Sequence, residues 1–349
     1  MTIEWHKDYT VEWRLMHVNK DTWADAGKAD FVKSVHIDKD ATNSVPMIES
    51  ASLEVEIPMG SEWEDGWYRF EGVFTQNEHT EMIPIGTFLI ESSSDTIDFG
   101  FQTSTIDGYS VLKPAADRAM LLGSYVPKGV NGAEYAADLL RECVLCPVEV
   151  EGSFTLDDYL AYGEDTHYLE VVWDLLDAGG FCIVISGDGI ITIKSKPDHS
   201  VLILNSSSRC LLFPKITRNF DTTGVPNAYR AIDGNDWAEA INTNPDSRVS
   251  VPSRGRRVDI VDTSPKRVNG ETLLAYAERR LEEESTLYKS YTYEREYDEH
   301  VHPFDMVTAT LPDFGFEGEL RVLSQSINCD AAITVSETAA MVIKEYEAS

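Results

Sequence analysis

Four short patterns in this sequence bring reactive side chains together at spacings that enzymes or metal sites use. The first is Ser110-Val111-Leu112-Lys113, which matches S-x-x-K, the serine and lysine pair of acyl-transferring, penicillin-recognising enzymes. The companion S-D-N and K-T-G motifs are missing from the sequence. Pro114 also disfavours a helical Lys113, so a helix that brings serine and lysine together is not expected. The match is interpreted as chance, and no catalytic serine is predicted.

The cysteines and histidines supply two further patterns. Cys143 and Cys146 form C-x-x-C, but a zinc or redox site would need a second pair, or histidines at ligand spacing. Helical periodicity instead makes Cys143 a core residue. His300 and His302 would share one side of a strand, without a third ligand. No metal or cofactor is predicted, and the odd set of five cysteines fits buried thiols: Cys143, Cys146, Cys182, Cys210 and Cys329.

The fourth pattern places carboxylates beside aromatic rings, as a glycosidase would need. It comprises Asp157, Asp158, Glu164 and Asp165 with Tyr159, Tyr162 and Tyr168. In so acidic a chain such clusters are common, so a solvated loop is favoured. The sequence has no H-E-x-x-H, G-x-S-x-G or P-loop motif. The protein is therefore predicted not to be an enzyme.

The charge balance is the strongest feature of the composition. Among 349 residues, 60 are acidic and 29 are basic, which gives a net charge of -31. Such a surface repels nucleic acid and anionic membranes, because phosphate contacts need Lys and Arg. Direct nucleic-acid binding is therefore not expected. Composition alone is explained by solubility or by a crowded acidic assembly.

The N-terminus carries charges where a signal peptide would need an apolar core. No apolar run approaches the ~20 residues of a membrane span. We therefore expect no membrane anchor, and synthesis and assembly in a cytoplasm.

Hydrophobic periodicity predicts an α+β, mainly β fold with three domains. Residues 1–107 are predicted to form a first β-barrel domain, with a sandwich as the alternative, because strands are expected over 11–18, 31–37, 53–57, 68–74 and 85–90. Leu53, Val55 and Ile57 alternate with Glu54 and Glu56. Turns are predicted at Asp65-Gly66 and in the serine run after Glu91. Ile97, Phe99 and Phe101 alternate with polar residues and predict one more strand.

Residues 108–197 predict an inserted small α/β domain. Helices are expected at 132–144 and 168–178, with Gly179-Gly180 ending the second. A hairpin follows around the turn Gly187-Asp188-Gly189.

Residues 198–349 predict a second β-barrel domain with a helix near 270–287 and a long loop at 235–257. The helix begins after Asn269-Gly270-Glu271-Thr272 and would bury Leu273, Leu274, Ala277 and Leu281. The strand that follows alternates Tyr291, Tyr293 and Tyr297 with Thr292, Glu294 and Asp298.

Three segments resemble phage tail hub proteins, the ring-forming proteins that join the tail tube to the tail tip or baseplate. His302-Pro303-Phe304-Asp305-Met306-Val307, followed by strands and a turn at 313–318, resembles the closing barrel of that family. Asn219-Phe220-Asp221 with Val225-Pro226-Asn227-Ala228-Tyr229 is similar to the start of the same barrel. The stretches 86–91 and 106–112 resemble the end of the first barrel and the start of the inserted domain.

The resemblance implies a homotrimer in which three chains give a ring of six barrels. It also implies a virion location, contacts with the distal tail or tube protein, the tape measure protein and tip, spike or fibre proteins, and DNA that passes through the lumen without specific binding. Inward-facing carboxylates would suit such a passage. The candidates are Glu54, Glu56, Glu294, Glu296 and Asp298.

Two alternatives stay open. A carbohydrate-binding host-adhesion module would use exposed aromatic residues such as Trp63, Trp67 and Trp237. A tail-associated glycan or peptidoglycan hydrolase would use the carboxylate cluster around Tyr159.

Overall fold

The computed structural model of the chain describes residues 3–5, 7–29, 31–41, 48–60, 63–98, 100–121, 123–163, 165–205, 215–311, 316–343 and 345–346. Most of these residues lie in β-strands, and five helices occur among them. The mainly β, α+β class predicted from the sequence is therefore confirmed. None of the helices in this described part is long and apolar enough to cross a membrane.

The N-terminal region is built from antiparallel strands, as the alternating pattern predicted. They are β1 (Thr10–Val18), β2 (Asp25–Lys28), β3 (Phe31–Asp40), β4 (Ile48–Ile57), β5 (Gly66–Gln76), β6 (His79–Asp98) and β7 (Phe101–Ser110). In β4, Leu53 and Val55 are buried while Glu54 between them is exposed. This is the period of two that a sheet with one wet face requires.

Two predictions for this region are wrong. The serine run after Glu91 is not a turn, because Ser92 and Ser94 pair with Asp107 and Thr105 inside a long β6–β7 hairpin. A strand with short polar side chains on both faces lacks the alternation of apolar and polar residues, so hydrophobic periodicity does not detect it. The predicted strand through residues 97–101 is instead the end of that hairpin, and its Phe99 lies outside the described residues.

The central region contains three helices around a small sheet. Its elements are α1 (Lys113–Asp117), β8 (Tyr125–Val126), α2 (Gly132–Arg141), β9 (Val148–Glu151), β10 (Leu160–Ala161), α3 (Tyr168–Gly179), β11 (Phe181–Ile185) and β12 (Ile191–Ser195). Asn131 caps α2 through a hydrogen bond from the backbone N–H of Ala133. Gly180 ends α3 in the left-handed conformation, with φ of 70°. The predicted helices and hairpin are confirmed.

The last region contains the remaining elements. They are β13 (Ser200–Asn205), β14 (Thr217–Phe220), β15 (Ala228–Asp233), β16 (Asp236–Ile241), α4 (Val251–Arg254), β17 (Asp259–Asp262), α5 (Leu273–Glu284), β18 (Leu287–Glu296), β19 (Met306–Leu311), β20 (Phe316–Cys329) and β21 (Ile333–Ile343). The predicted loop at 235–257 is wrong, because β16 and α4 form there and β15, β16 and β17 make a separate sheet. The predicted turn at 313–318 falls mostly outside the described residues.

Helix α5 begins where the sequence predicted, with the Thr272 side chain accepting a hydrogen bond from the N–H of Ala275. Its buried face differs from the prediction. Tyr276 is buried beside Ala277 and Leu281, whereas Leu274 is 47% exposed. The reason is that the Tyr276 hydroxyl donates to Asp262 at 2.6 Å, which anchors the helix to the sheet of β15, β16 and β17.

One large sheet joins the N-terminal and last regions. Its strand order is β14-β18-β21-β20-β3-β4-β7-β6-β5-β1-β2, and β13 and β19 attach to it through β20. The joint is the antiparallel pair β20 and β3, in which Ile327 lies opposite Ile37. Strands from the two predicted barrel regions thus share one hydrogen-bonded sheet.

The central region is fixed to this sheet by its hairpin turn. The carbonyl of Asp188 accepts hydrogen bonds from the Trp23 indole at 3.0 Å and from the Arg69 guanidinium at 3.1 Å. The Thr87 hydroxyl donates to the carbonyl of Gly187 at 2.9 Å. A Cβ at Gly187 would lie only 1.9 Å from the carbonyl oxygen of Pro84, so only glycine allows this approach.

Candidate functional surface

The S-x-x-K residues do not form a catalytic pair. Ser110 ends β7, and its hydroxyl oxygen accepts a hydrogen bond from the N–H of Leu112 at 3.3 Å. Lys113 pairs with Asp117 on α1. A short helix begins at Lys113 with Pro114 in its first turn, but Ser110 lies before it on β7, so no helix brings this serine and lysine together, as expected. Proline is tolerated at that position because the first N–H groups of a helix have no partner within it.

The cysteines of the C-x-x-C pattern follow α2 rather than lying within it. Helix α2 ends at Arg141, Cys143 is half-buried and Cys146 is buried. Burial raises the pKa of the Cys146 thiol to about 12, which opposes thiolate chemistry at neutral pH. Cys182 and Cys329 are also buried, and Cys210 lies outside the described residues.

The two histidines lie in the loop between β18 and β19, not on a strand as predicted. The side chain of His300 is 80% exposed, whereas burial, with Lys39 and Lys194 adding to it, lowers the pKa of His302 to about 3. They therefore do not share one face. In the described part of the chain, no group of three or more His, Cys, Asp or Glu side chains could hold a metal ion.

The carboxylates proposed for sugar cleavage connect the central region to the last one. Asp158 forms a two-pronged ion pair with Arg267 at 2.7 and 2.9 Å. Asp157 accepts a hydrogen bond from the backbone N–H of Gly270. Glu164 lies outside the described residues. The described geometry gives Asp157 and Asp158 a structural role.

The tryptophans proposed for glycan binding are mostly covered. Trp67 is buried, with its ring packed at 5.2 Å against Trp23. Trp63 packs at 5.0 Å on Tyr68. Trp237 is 64% exposed. It is a single exposed ring, whereas the proposed glycan-binding surface would need several. The prediction of three exposed tryptophans is therefore wrong for Trp67.

One face of the large sheet carries a continuous polar surface across eight strands, β6-β7-β4-β3-β20-β21-β18-β14. We call it the polar face. Direct cross-strand neighbours share a face of a sheet, so the register places one row of side chains side by side. From β6 to β18, this row is Ser92, Asp107, Ser52, His36, Asn328, Thr334 and Glu296.

The neighbouring row of side chains on this face is also polar. It lies two residues along each strand from the first row and consists of Ser50, Asp38, Ser326, Ser336 and Glu294. Each of these side chains is exposed or half-buried. A shallow concavity of about 480 Å³ lies on this face, bordered by Ser34, Ser52, Glu54, Thr105 and Asn328.

The predicted lumen carboxylates mostly lie on the polar face. Glu54 and Glu56 project from β4 beside Lys33, at 3.6 and 3.9 Å. Glu294 and Glu296 project from β18, whereas Asp298 follows the end of that strand. Sequence reasoning missed Asp38 and Asp107, because their strands were assigned without the pairing that aligns them.

The opposite face of the same strands is mainly apolar and includes a buried polar row across β4, β3, β20 and β21. Lys39 and Glu49 form an ion pair at 3.0 Å with side chains 4% and 0% exposed. Gln325 lies opposite Lys39 on β20 and donates to Glu337 at 2.9 Å. Glu337 also accepts from Arg295 at 2.6 Å and from the Tyr293 hydroxyl at 2.6 Å.

This buried row separates two apolar clusters. On one side lie Ile37, Ile327 and Val335, and on the other lie Val322 and Ala339. The loop after β18 covers the row, because the Gln325 amide donates to the carbonyl of Val301 at 2.9 Å. The row therefore marks the junction between the two β regions.

No protein-family model matches the sequence, and no curated protein matches it. Solved structures match its fold. A tail protein from Neisseria meningitidis MC58 has a TM-score of 0.67 and 13% identity, over 96% of this chain and 97% of that one. The 43 kDa tail protein of prophage MuSo2 from Shewanella oneidensis has a TM-score of 0.64 and 10% identity, over 96% and 99%.

A third match is the prophage tail protein gp18 from Listeria monocytogenes EGD-e, with a TM-score of 0.52 and 11% identity over 94% of each chain. The chain thus has the fold of phage tail proteins over nearly its whole length. The resemblance to tail proteins that the sequence predicted is confirmed at the level of the fold.

Proposed function

We propose that this protein is a structural hub of a phage tail, located at the tail tip or baseplate, and that its polar face lines a passage for DNA. The observation that carries the proposal is the polar face itself, which extends over eight hydrogen-bonded strands. The fold shared with phage tail proteins over nearly the whole chain supports the location.

The chemistry of the polar face suits passage without binding. Ser, Thr and Asn side chains keep a wall hydrated without fixed charge. Carboxylates such as Asp38, Asp107 and Glu294 repel phosphate, whereas inward Lys or Arg would hold it by releasing counterions. DNA would slide along such a wall.

The finer architecture belongs to the same proposal. Residues 1–107 and 198–349 form two barrel-like units, and residues 108–197 form the inserted α/β unit. Three chains form a closed ring that contacts the distal tail or tube protein, the tape measure protein and tip, spike or fibre proteins. Assembly takes place in the host cytoplasm, and no catalytic role is part of the proposal.

Native mass spectrometry of the purified protein tests the ring. A species of three times 39.1 kDa is expected. A monomer both alone and within assembled tails, or a ring of twelve or more copies, would overturn the trimer.

Charge reversal tests the passage. Replacing Glu54 and Glu56 with lysine should delay DNA ejection from intact particles at low salt, and salt should relieve the delay by screening. The matched control replaces Glu149 and Glu151, a similarly spaced pair on β9 in the central region, and should eject normally. Normal ejection by the Glu54→Lys/Glu56→Lys particle at both salt concentrations would contradict the assignment of β4 to the passage.

A further inference from the structure

We infer that one face of the small sheet of β15, β16 and β17 is a docking site for an acidic segment of another tail protein, with Trp237 as its apolar anchor. The inference rests on the proposed hub function, because it assigns one of the hub's outside contacts to a surface and a chemistry. We call this face, together with the arginines at its end, the arginine surface. It comprises Arg230, Trp237, Arg248, Arg256 and Arg257.

The small sheet has one covered face and one open face. Helix α5 packs on the covered face, where the buried side chains of β15 and β16 meet those of the helix. On the open face, Trp237 lies opposite Ile232, and Arg230 lies opposite Val261. Trp237 and Val261 are exposed, so this face is accessible to a partner.

The arginines of the open face are held in place by carboxylates. Glu239 accepts hydrogen bonds from Arg230 at 2.7 Å and from Arg257 at 2.8 Å, and Arg257 also donates to Asp259 at 2.6 Å. The Arg257 guanidinium, with Arg230 adding to it, lowers the pKa of Glu239. Arg230 also lies 5.7 Å from the centre of the Trp237 ring. The face therefore presents tryptophan and arginine side chains in ordered positions, and these residue types dominate the centres of protein interfaces.

A buried asparagine orders the segment that carries Arg248 and Arg256. The side chain of Asn227 donates to the carbonyls of Val249 and Arg256 at 2.9 and 3.0 Å, and it accepts from the N–H of Val258 at 2.8 Å. These bonds hold the backbone on both sides of α4 against the end of the small sheet. A surface that is already ordered loses less conformational entropy when a partner binds.

The arginine surface lies in a basic part of an acidic chain. Residues 215–258 carry seven basic residues, six of them arginines, against five acidic ones, whereas the rest of the chain carries 22 against 55. Arg248 and Arg256 are exposed, and neither side chain forms an ion pair with another described residue. Carboxylates of a partner would complement both guanidinium groups.

A protein segment fits this surface better than nucleic acid does. Nucleic acid is held by a row of free Lys and Arg side chains, whereas the two arginines on the open face are already paired with carboxylates. Trp237 and Val261 add apolar area that a protein side chain can cover. A segment with an apolar side chain over Trp237 and carboxylates facing Arg248 and Arg256 matches both features.

The position of the small sheet also suits a partner outside the ring wall. Strands β15, β16 and β17 share no hydrogen-bonded ladder with the large sheet that carries the polar face. A protein bound to the arginine surface would therefore leave the proposed DNA passage open.

Site-specific photo-cross-linking in assembled tails tests the docking site. The photoreactive residue p-benzoylphenylalanine is incorporated at position 237, and peptide mass spectrometry identifies what it captures. We expect a peptide of a different tail protein that is rich in Asp and Glu. The same residue at position 20, where Lys20 is exposed in the N-terminal region, should not capture that peptide. Capture of a second copy of this chain, of DNA or of nothing would overturn the inference while leaving the hub proposal standing.

A binding assay with a synthetic peptide of the captured sequence supplies a second readout. Trp237→Ala should weaken binding at least tenfold. Arg248→Glu/Arg256→Glu should do the same, and added salt should weaken wild-type binding by screening. Lys20→Glu/Lys128→Glu makes the same charge change at exposed positions elsewhere and should bind as the wild type does.

Thermal unfolding of each variant separates lost binding from lost folding. Folded Trp237→Ala and Arg248→Glu/Arg256→Glu proteins that bind the peptide as tightly as the wild type would overturn the inference. Absence of this chain from assembled tails would overturn the hub proposal as well.

Discussion

Glu337 and Glu49 lie in the same buried row of the large sheet, yet their pKa values move in opposite directions. Burial by itself would raise the pKa of Glu337, but the guanidinium of Arg295 and hydrogen bonds from Tyr293 and Gln325 lower it instead. For Glu49, burial dominates the attraction of Lys39 and raises the pKa. The number of donors around a buried carboxylate, rather than burial alone, decides which protonation state the fold favours.

The difference has a structural meaning. Arg295 and Glu337 belong to the last region, whereas Lys39 and Glu49 belong to the N-terminal region. Gln325 of β20 lies between the two pairs. A slip of one residue between β20 and β3 would turn these charged side chains to the wrong face, so the row helps to fix the register of the joint.

The largest expected effect comes from breaking the better-satisfied pair. Arg295→Met should lower the free energy of unfolding by about 3–5 kcal/mol, because it leaves the Glu337 carboxylate buried without its cation. Arg295→Met/Glu337→Leu should recover most of that loss. Urea or guanidinium unfolding measures both variants. If Arg295→Met lowered the free energy of unfolding by less than about 1 kcal/mol, the pair would not be buried as described.

The next largest loss of stability is expected where the hairpin turn of the central region contacts the large sheet, a junction without an ion pair. Gly187→Ala forces a Cβ against the Pro84 carbonyl oxygen at 1.9 Å and should cost about 1–3 kcal/mol by overpacking. Gly163→Ala is the matched control, because nothing lies within 4 Å of its Cβ, and it should change stability by under about 0.5 kcal/mol. Equal effects would mean that the hairpin turn is not docked closely on the sheet.

Removing the other buried carboxylate should have a smaller effect. Glu49→Gln keeps the shape of a side chain whose pKa is raised by burial, so the free energy of unfolding should fall by only about 1–2 kcal/mol, mainly because Lys39 loses its buried anionic partner. The same denaturant titration checks it. A loss of about 3 kcal/mol or more would place Glu49 in the same class as Glu337.

The smallest effect is a pH dependence of opposite sign for the two groups. The raised pKa of Glu49 gives stability that is complete below the unfolded value of 4.5 and is lost as pH rises through the folded pKa. The lowered pKa of Glu337 gives stability that is present above 4.5 and is lost as pH falls through the folded pKa.

The wild type should therefore gain stability relative to Glu49→Gln as pH falls from 7 toward 4.5. Parallel unfolding curves of the two proteins at several pH values measure this difference. A difference that shrinks on acidification would reverse the sign assigned to Glu49.

Sequence periodicity predicted the strands well where one face is apolar, as in β4 and β18. The same period could have located the buried row. Arg295 occupies the buried parity between Tyr293 and Tyr297, and Lys39 follows Val35 and Ile37 at the same parity. A charged residue at a buried position signals a buried partner, although it does not identify that partner.

The partners themselves follow from long-range register. Lys39 and Gln325 meet only because β3 and β20 pair across most of the chain. The polar face depends on the same pairing, since Ser and Thr residues show no periodicity until their strands are aligned. For this reason the serine run of β6 was predicted as a turn, although the structure makes it an edge of the polar face.

Cryo-electron microscopy of assembled tails tests the central claim most directly. The account predicts three copies of this chain in a ring whose inner wall is the polar face, with Ser52, Asn328 and Glu294 directed into the passage. A ring with the polar face on its outer surface, or with these side chains covered by another protein, would contradict it.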